Sequence, residues 1–195
     1  MRLGMVMTKL RPTIKGFTII ELMITLAVAT ILLGLAAPSF NDIIKNSRLT
    51  TQINGLSASL NLARSEAIKR SLTVTVCKSS DGTQCRDNWS DGWIVFEDID
   101  GTDGNVGAGD TIIRVNSALT SGNTLNFNNG NYVKYSSTGF GSIAGTFTLC
   151  DDREPANKYA KALIISPSGR VRVAIDADGD GIVEGGDDEK VECPS

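Results

Sequence analysis

Two arginines near the C-terminus have the spacing of a phosphate-binding site. Arg170 and Arg172 lie two residues apart in the segment Gly169-Arg170-Val171-Arg172. In a β-strand, residues i and i+2 point to the same face and lie roughly 6.7 Å apart. A guanidinium group binds phosphate through two parallel hydrogen bonds. This chemistry suits contacts to successive phosphates along one nucleic-acid strand, although two arginines on a strand are also typical of an ordinary solvated face.

The residues around this pair predict which way the arginines point. Val171, Val173 and Ile175 alternate with the arginines, so we expect these three to face the core and the arginines to face solvent. Lys158 and Lys161 lie upstream and are candidate additions to the same basic patch.

An acidic segment with metal-binding chemistry follows directly. Its residues match positions 1, 3, 5, 7 and 12 of an EF-hand-like calcium loop, and they are Asp176, Asp178, Asp180, Ile182 and Asp187. The twelfth position carries Asp in place of the usual Glu, and no flanking helices are expected. Two interpretations stay open: a calcium site, and a solvated acidic hairpin whose charges repel phosphate unless a cation neutralises them. Asp98, Asp100 and Asp103 form a weaker partial match.

Composition excludes several other functions. The chain has no histidine, which removes the commonest general base and the commonest metal ligand. Its four cysteines, Cys77, Cys85, Cys150 and Cys193, are typical of an exported, disulfide-bonded domain and allow three pairings. A zinc site is disfavoured because no CxxC spacing is present. We therefore predict that the protein is not an enzyme and needs no cofactor other than calcium.

A long amphipathic helix and a β-rich region must position these residues. One apolar face repeats at spacings of four and three along Leu49, Ile53, Leu56, Leu60, Ala63 and Ala67, which predicts a helix that packs on a sheet and ends near residue 70. After residue 71 the period changes to two, with β-type runs at 72–77, 92–97, 111–116, 132–136, 146–150, 161–166 and 170–175. The aromatic residues Trp93 and Phe96 are expected in the core. The fold class is therefore α+β.

The N-terminus carries a basic leader followed by an apolar stretch. Residues 17–37 contain one charge, Glu21, and as a helix they would span roughly 30 Å, the thickness of a bilayer's hydrocarbon core. Arg2, Lys9, Arg11 and Lys15 precede this stretch, and positive charge there holds an N-terminus in the cytoplasm. A cleaved secretory signal peptide is the alternative, but the apolar run exceeds the usual length of about 7–15 residues.

The junction Lys15-Gly16-Phe17-Thr18-Ile19-Ile20-Glu21 resembles the processing site of type IV prepilins and pseudopilins. The resemblance implies that prepilin peptidase cuts between Gly16 and Phe17, that Phe17 becomes N-methylated, and that Glu21 acts in assembly with other pilins. Residues 60–70 and 91–96 are similar to the GspH/FimT group of this family.

This resemblance implies a pilin-like organisation of the whole chain. The leader occupies 1–16, the transmembrane half of a long helix 17–37, the amphipathic half 38–70 and a β-rich periplasmic domain 71–195. The expected location is the bacterial inner membrane, crossed once, with exposure at the cell surface when the protein is in a pilus. The cysteine pairing Cys77–Cys85 with Cys150–Cys193, which needs no crossing, is favoured because relatives carry similar pairs.

The resemblance also bears on the arginine pair. FimT-type minor pilins that act in natural transformation carry a GRxR motif implicated in binding incoming DNA, and Gly169, Arg170 and Arg172 match it. This implies binding of double-stranded DNA without sequence preference. The net charge is −3, and −7 without the leader, so the contact must come from a local patch. The alternative is a structural minor pilin or a GspH-like type II secretion pseudopilin that contacts only other pilins. DNA binding predicts that Arg170 and Arg172 are exposed with basic neighbours, whereas the alternative predicts that local carboxylates pair with them.

Overall fold

The computed structural model describes residues 16–101, 104–120 and 122–194, without the side chains of 35–39. The predicted leader before Gly16 and the predicted metal ligand Asp103 lie outside the described residues. The chain divides into two compact units, the first ending at Ile43 and the second beginning at Ile44. Helix α1, Ile19–Arg70, contributes residues to both units.

The first unit consists of the N-terminal part of α1. Thr18 caps the helix, because the Glu21 backbone N–H donates a hydrogen bond of 3.2 Å to the Thr18 hydroxyl. Every side chain from Phe17 to Leu33 is exposed. Within the described part of the chain, no helix meets the combined length and hydrophobicity required to cross a membrane.

The second unit is built on the C-terminal part of α1. The six residues of the predicted apolar stripe are all buried and join the main core of the unit, which confirms the stripe. The helix ends at Arg70, where the sequence predicts its end. Trp93 and Phe96 are also buried, as expected.

In the described part of the second unit, eight strands form two antiparallel four-stranded sheets. The first has the order β3-β2-β1-β5, with β3 Thr111–Ser117, β2 Gly92–Glu97, β1 Val74–Lys78 and β5 Tyr132–Tyr135. The second has the order β4-β6-β7-β8, with β4 Thr124–Phe127, β6 Gly145–Cys150, β7 Lys161–Ile165 and β8 Val171–Val173. A 3-10 turn at Trp89–Asp91 and a short helix α2, Ala156–Tyr159, complete the unit. Each predicted run contains a strand, and β4 is the strand that the sequence analysis omits.

The two faces of the second sheet have different surroundings. Leu163 and Ile165 of β7 point to the main core shared with α1, whereas Ala162 and Ile164 point to a smaller cluster on the outer face. The C-terminal segment covers part of that outer face through Val191 and Cys193. Disulfides join Cys77 to Cys85 and Cys150 to Cys193, the pairing that the sequence analysis favours, and the second ties the C-terminal segment to β6.

Candidate functional site

The arginine pair lies at the β7–β8 hairpin. Its turn is tight, since the Gly169 N–H donates to the Ser166 carbonyl at 2.8 Å and the Ser166 N–H donates to the Arg170 carbonyl at 3.0 Å. Gly169 has a φ of 74°, in the left-handed region that favours glycine. A Cβ at Gly169 would also lie 2.4 Å from the Gly139 carbonyl oxygen. The glycine of the motif is therefore required both by the turn and by a neighbouring loop.

Both arginines project from the outer face of the second sheet. Arg172 is the partner of Ile164 in the pairing of β7 with β8, so its side chain points to the same outer face as Ile164. Arg170 lies two residues earlier in the chain and therefore points to that face as well. Both side chains are exposed. Among the described residues, neither guanidinium group has an ion pair or a hydrogen bond. The pair is thus free to contact a ligand.

The expectation that Val171, Val173 and Ile175 all face the core is wrong in part. Val171 is half-buried and packs against the main core. Val173 is 50% exposed and Ile175 is 65% exposed. The reason is that β8 is a three-residue edge strand, and the chain leaves the sheet after Val173.

Arg64 of α1 holds the arginine turn in place. Its Nε donates to the Gly139 carbonyl at 2.9 Å, and its Nη2 lies 3.4 Å from the Ser168 carbonyl oxygen, to which it donates. One side chain thus joins two turns, residues 136–140 and residues 166–169, to the helix. The sequence analysis does not identify this role, because Arg64 is separated from these carbonyls by 75 and 104 residues.

The two lysines proposed as extensions do not lie with the arginines. Lys161 is at the end of β7 opposite the turn, and alternation places it on the face of Leu163, whose side chain is in the main core. Lys158 belongs to α2 and lies beside the acidic loop, 3.9 Å from the position that a Cβ on Gly181 would take. The arginine face therefore consists of Arg170 and Arg172 without these lysines.

Arg172 also borders a cleft on the outer face whose lining is mixed. The cleft has a volume of about 490 Å³, and Ile164 and Pro167 line it together with Thr146, Asp187 and Arg172. The carboxylate of Asp187 is the acidic group of the lining. The cleft therefore places one carboxylate and several apolar side chains beside Arg172.

Lys190 neutralises much of the neighbouring acidic loop. Its ammonium donates to the Asp178 carboxylate at 3.1 Å and also to the Asp180 carboxylate. The hydrogen bond from Lys190 lowers the pKa of Asp180, and the hydrogen bonds to Asp180 and Asp178 raise the pKa of Lys190. The Asp176 carboxylate instead accepts hydrogen bonds from the backbone N–H groups of Gly179 and Gly181. The Lys190 ammonium group thus supplies the positive charge beside the carboxylates of Asp178 and Asp180.

The predicted calcium ligands are only partly brought together. Carboxylate oxygens of Asp176, Asp178, Asp180 and Glu184 lie within 4.8 Å of one another. Asp187 is not in that group, and its carboxylate accepts a hydrogen bond from the Glu189 N–H. Asp98 and Asp100 form a second group with Asp110. Calcium at residues 176–184 stays a prediction, and the ion would have to displace Lys190.

The predicted processing site lies at the start of the described chain. Gly16 and Phe17 precede the Thr18 cap and are exposed, with Phe17 83% exposed. Glu21 is exposed in the first turn of α1, and no described residue forms an ion pair with its carboxylate. The described part of the junction therefore runs from three residues without regular secondary structure, 16–18, into the first turn of α1.

Comparison with known proteins places the chain in a family. Residues 52–169 match the family model of the type II transport protein GspH, and residues 11–37 match the prokaryotic N-terminal methylation motif. A search of curated protein sequences finds no significant match. The GspH match ends at Gly169, directly before the arginine pair.

A type IV minor pilin and a minor pseudopilin are among the solved structures similar to this chain. The type IV minor pilin FimU of Pseudomonas aeruginosa is similar in two crystal forms. One has 17% identity, a TM-score of 0.55, and coverage of 68% of this chain and 92% of FimU. The other has 20% identity, a TM-score of 0.50, and coverage of 65% and 93%. The minor pseudopilin EpsH of Vibrio cholerae has 15% identity, a TM-score of 0.48, and coverage of 67% and 99%.

These findings define the class of protein. The chain belongs to the GspH family, and its pilin-like α+β fold is that of the minor pilin FimU, as the sequence analysis predicts. The N-terminal methylation motif indicates a membrane-anchored component of a pilus or pseudopilus. Family membership implies contacts with other pilins and a structural rather than an enzymatic role.

Proposed function

We propose that this protein is a minor type IV pilin that binds double-stranded DNA through Arg170 and Arg172 during DNA uptake in natural transformation. The observation that carries the proposal is the exposure of both guanidinium groups on one face, without a carboxylate partner among the described residues. In the structural alternative we expect carboxylates to pair with these arginines, and no described residue does so.

The charges around the pair are compatible with an anionic ligand. The chain is acidic overall, so long-range attraction to DNA is absent and the contact must be local. Lys190 neutralises Asp178 and Asp180 of the acidic loop, and the Asp176 carboxylate accepts hydrogen bonds from backbone N–H groups. Asp187, which lines the cleft with Arg172, accepts a hydrogen bond from the Glu189 backbone N–H. Two phosphate contacts predict a slope of about −2 for log affinity against log salt on duplex DNA. Such binding is weak for one domain and useful where a filament holds DNA close.

The test is a fluorescence-anisotropy titration of duplex DNA with the full-length protein in detergent. We expect Arg170→Gln with Arg172→Gln to abolish binding while circular dichroism and the melting temperature stay unchanged, because neither side chain is in the core. The matched control is Arg48→Gln with Arg114→Gln, which removes the same charge from exposed arginines of α1 and β3. The control variant should bind like the wild type.

Two outcomes would contradict the proposal. If the folded Arg170 and Arg172 double variant still binds DNA, the patch lies elsewhere. If the wild type binds no DNA at low salt, the alternative remains: a structural minor pilin or a GspH-like type II secretion pseudopilin that contacts only other pilins.

The same proposal includes the maturation and location of the protein. Prepilin peptidase removes the leader 1–16 between Gly16 and Phe17, and residues 17–37 anchor the chain in the bacterial inner membrane as a single span. The domain after residue 70 then lies in the periplasm. The methylation motif at residues 11–37 and the exposure of every side chain from Phe17 to Leu33 support this arrangement. Glu21 would find its partner in the N-terminal ammonium of a neighbouring subunit.

A further inference from the structure

We propose that Phe140 stacks on an unpaired base, so that the arginine face has an additional contact with single-stranded DNA that a duplex does not make. The inference rests on the proposed function, because it adds a residue to the same interface. It concerns the kind of nucleic acid that the site accepts.

Phe140 is an exposed aromatic residue on an ordered turn. Its ring is 59% exposed, whereas the other described aromatic residues from Ile44 onward are buried or half-buried. The turn that carries it is closed by two backbone hydrogen bonds, Gly139 N–H to the Ser136 carbonyl at 2.8 Å and Ser136 N–H to the Phe140 carbonyl at 3.0 Å. The ring is therefore presented to solvent from a backbone that is held in place.

This turn lies against the arginine turn. A Cβ on Gly169 would lie 2.4 Å from the Gly139 carbonyl oxygen and 2.9 Å from the Gly141 backbone nitrogen. The backbone on both sides of Phe140 thus contacts the residue that precedes Arg170. Phe140 and Arg170 emerge from two chain segments that touch each other.

Arg64 fixes the two turns relative to each other. Its guanidinium group donates to the carbonyls of Gly139 and Ser168, one in each turn. Phe140 directly follows Gly139, and Arg170 lies two residues after Ser168. A single side chain therefore holds together the backbones of the two turns from which Phe140 and Arg170 project.

An exposed ring beside unpaired arginines is the combination that binds single strands. The arginines contact the backbone phosphates, and the ring stacks on a base whose face is accessible. In a duplex the bases are stacked on each other, so the ring has no face to contact and only the phosphate contacts remain. The cleft beside Arg172 has no aromatic side chain in its lining, and Phe140 lines a separate small cleft with Lys134 and Ser136. The inference therefore assigns stacking to Phe140.

The test compares labelled single-stranded oligo-dT with a duplex of equal length, using the full-length protein in detergent. An oligonucleotide of about 12 nucleotides is long enough for one site of this size. We expect Phe140→Ala and Phe140→Leu to weaken oligo-dT binding about tenfold and to leave duplex binding unchanged, since only the single strand uses stacking. Phe140→Tyr keeps the ring and should bind both DNAs like the wild type.

A direct signal of stacking comes from Phe140→Trp. The introduced indole is exposed, so its emission should be quenched by oligo-dT and not by duplex. Leu retains an apolar side chain without an aromatic face, so normal oligo-dT binding by Phe140→Leu would overturn the inference. Equal loss of single-strand and duplex binding in Phe140→Ala would also overturn it, because that result indicates only a structural role for the turn.

The two proposals fail in different ways. If the arginine variants lose duplex binding and the Phe140 variants bind oligo-dT normally, the proposed function stands and this inference is wrong. If the wild type binds neither DNA, both are wrong. If Phe140→Ala binds both DNAs normally but no longer assembles with other pilins, the ring is a subunit contact and the inference is wrong.

Discussion

Gly169 is the residue on which the geometry of the arginine face depends. Its positive φ closes the β7–β8 turn, and the absence of a side chain lets the 136–140 turn approach. Because the two turns lie against each other, the Arg64 guanidinium group reaches the carbonyls of both Gly139 and Ser168. The glycine of the motif thus has a structural role that is separate from the chemistry of the arginines.

We expect Gly169→Ala to destabilise the protein and to weaken DNA binding. An L-residue at positive φ costs about 1–2 kcal/mol, and the added methyl group must also push the Gly139 carbonyl away. Gly179→Ala is the matched control, since Gly179 has a φ of 81° and no atom within 4 Å of the added Cβ. Thermal unfolding should show a larger loss for Gly169→Ala than for Gly179→Ala. Equal losses would mean that the contact between the turns contributes nothing.

At the scale of elements, the acidic loop and the C-terminal segment form one unit. Lys190 bridges back to Asp178 and Asp180, and the Cys150–Cys193 disulfide anchors the segment to β6. The Glu184 and Lys190 backbones also pair as an isolated bridge. The Lys190 ion pairs and the Cys150–Cys193 disulfide therefore hold the acidic loop and the C-terminal segment on the outer face of the second sheet, which also carries the arginines.

The ion pair predicts a measurable pH dependence. Because the hydrogen bond from Lys190 lowers the pKa of Asp180 in the folded state, the contact stabilises the loop at neutral pH and is lost as the pH falls through that lowered pKa. In Lys190→Gln the Asp180 pKa should rise toward its ordinary value, which carboxyl NMR titration would measure. Asp152, whose pKa is lowered by Lys45, is the internal control and should not change.

An ordinary pKa for Asp180 in the wild type would contradict the Lys190 contact. The same spectra, recorded with calcium chloride, test the calcium prediction. If calcium binds, it displaces Lys190 and shifts the carboxyl signals of Asp176, Asp178 and Asp180 together. Unchanged signals would indicate the solvated hairpin closed by Lys190.

At the scale of the whole molecule, the N-terminal part of α1 and the β-rich unit serve different purposes. Every side chain from Phe17 to Leu33 is exposed, so this part of the helix has an apolar surface left for contacts outside the chain. The second unit has its own core of helix and strands. In the proposed function, assembly with other pilins uses the first part and DNA binding uses the second.

We expect the mature protein to begin with N-methylated Phe17, as mass spectrometry of membrane-extracted protein would show. Glu21→Ala should leave membrane insertion intact and reduce entry into filaments, because its carboxylate has no ion-pair partner among the described residues. Thr25→Ala is the control: the Thr25 hydroxyl donates to the Leu22 carbonyl within the helix, so its loss should not affect assembly. A mature N-terminus at Pro38 or beyond would indicate a signal peptide instead.

Local patterns in the sequence determined much of this fold. The spacing of apolar residues from Leu49 to Ala67 predicts the buried helix face and its end at Arg70, because helical periodicity depends only on neighbouring residues. The processing junction and the GRxR motif are also contiguous, so they are visible without a structure. The strand β4 was missed because Gly122-Asn123 precede its four residues and Asn128-Asn129 follow them, so the whole segment has the composition of a turn.

The tertiary structure alone decided how distant residues meet. It pairs Arg64 with carbonyls of two remote turns, brings Phe140 against the arginine turn, and places Lys190 among the aspartates. It also leaves Val173 and Ile175 exposed at a short edge strand and puts Lys161 on the opposite face. These arrangements depend on which strands pair and where the chain leaves a sheet. Pairing between segments far apart in sequence has no local signal, so only the folded chain shows it.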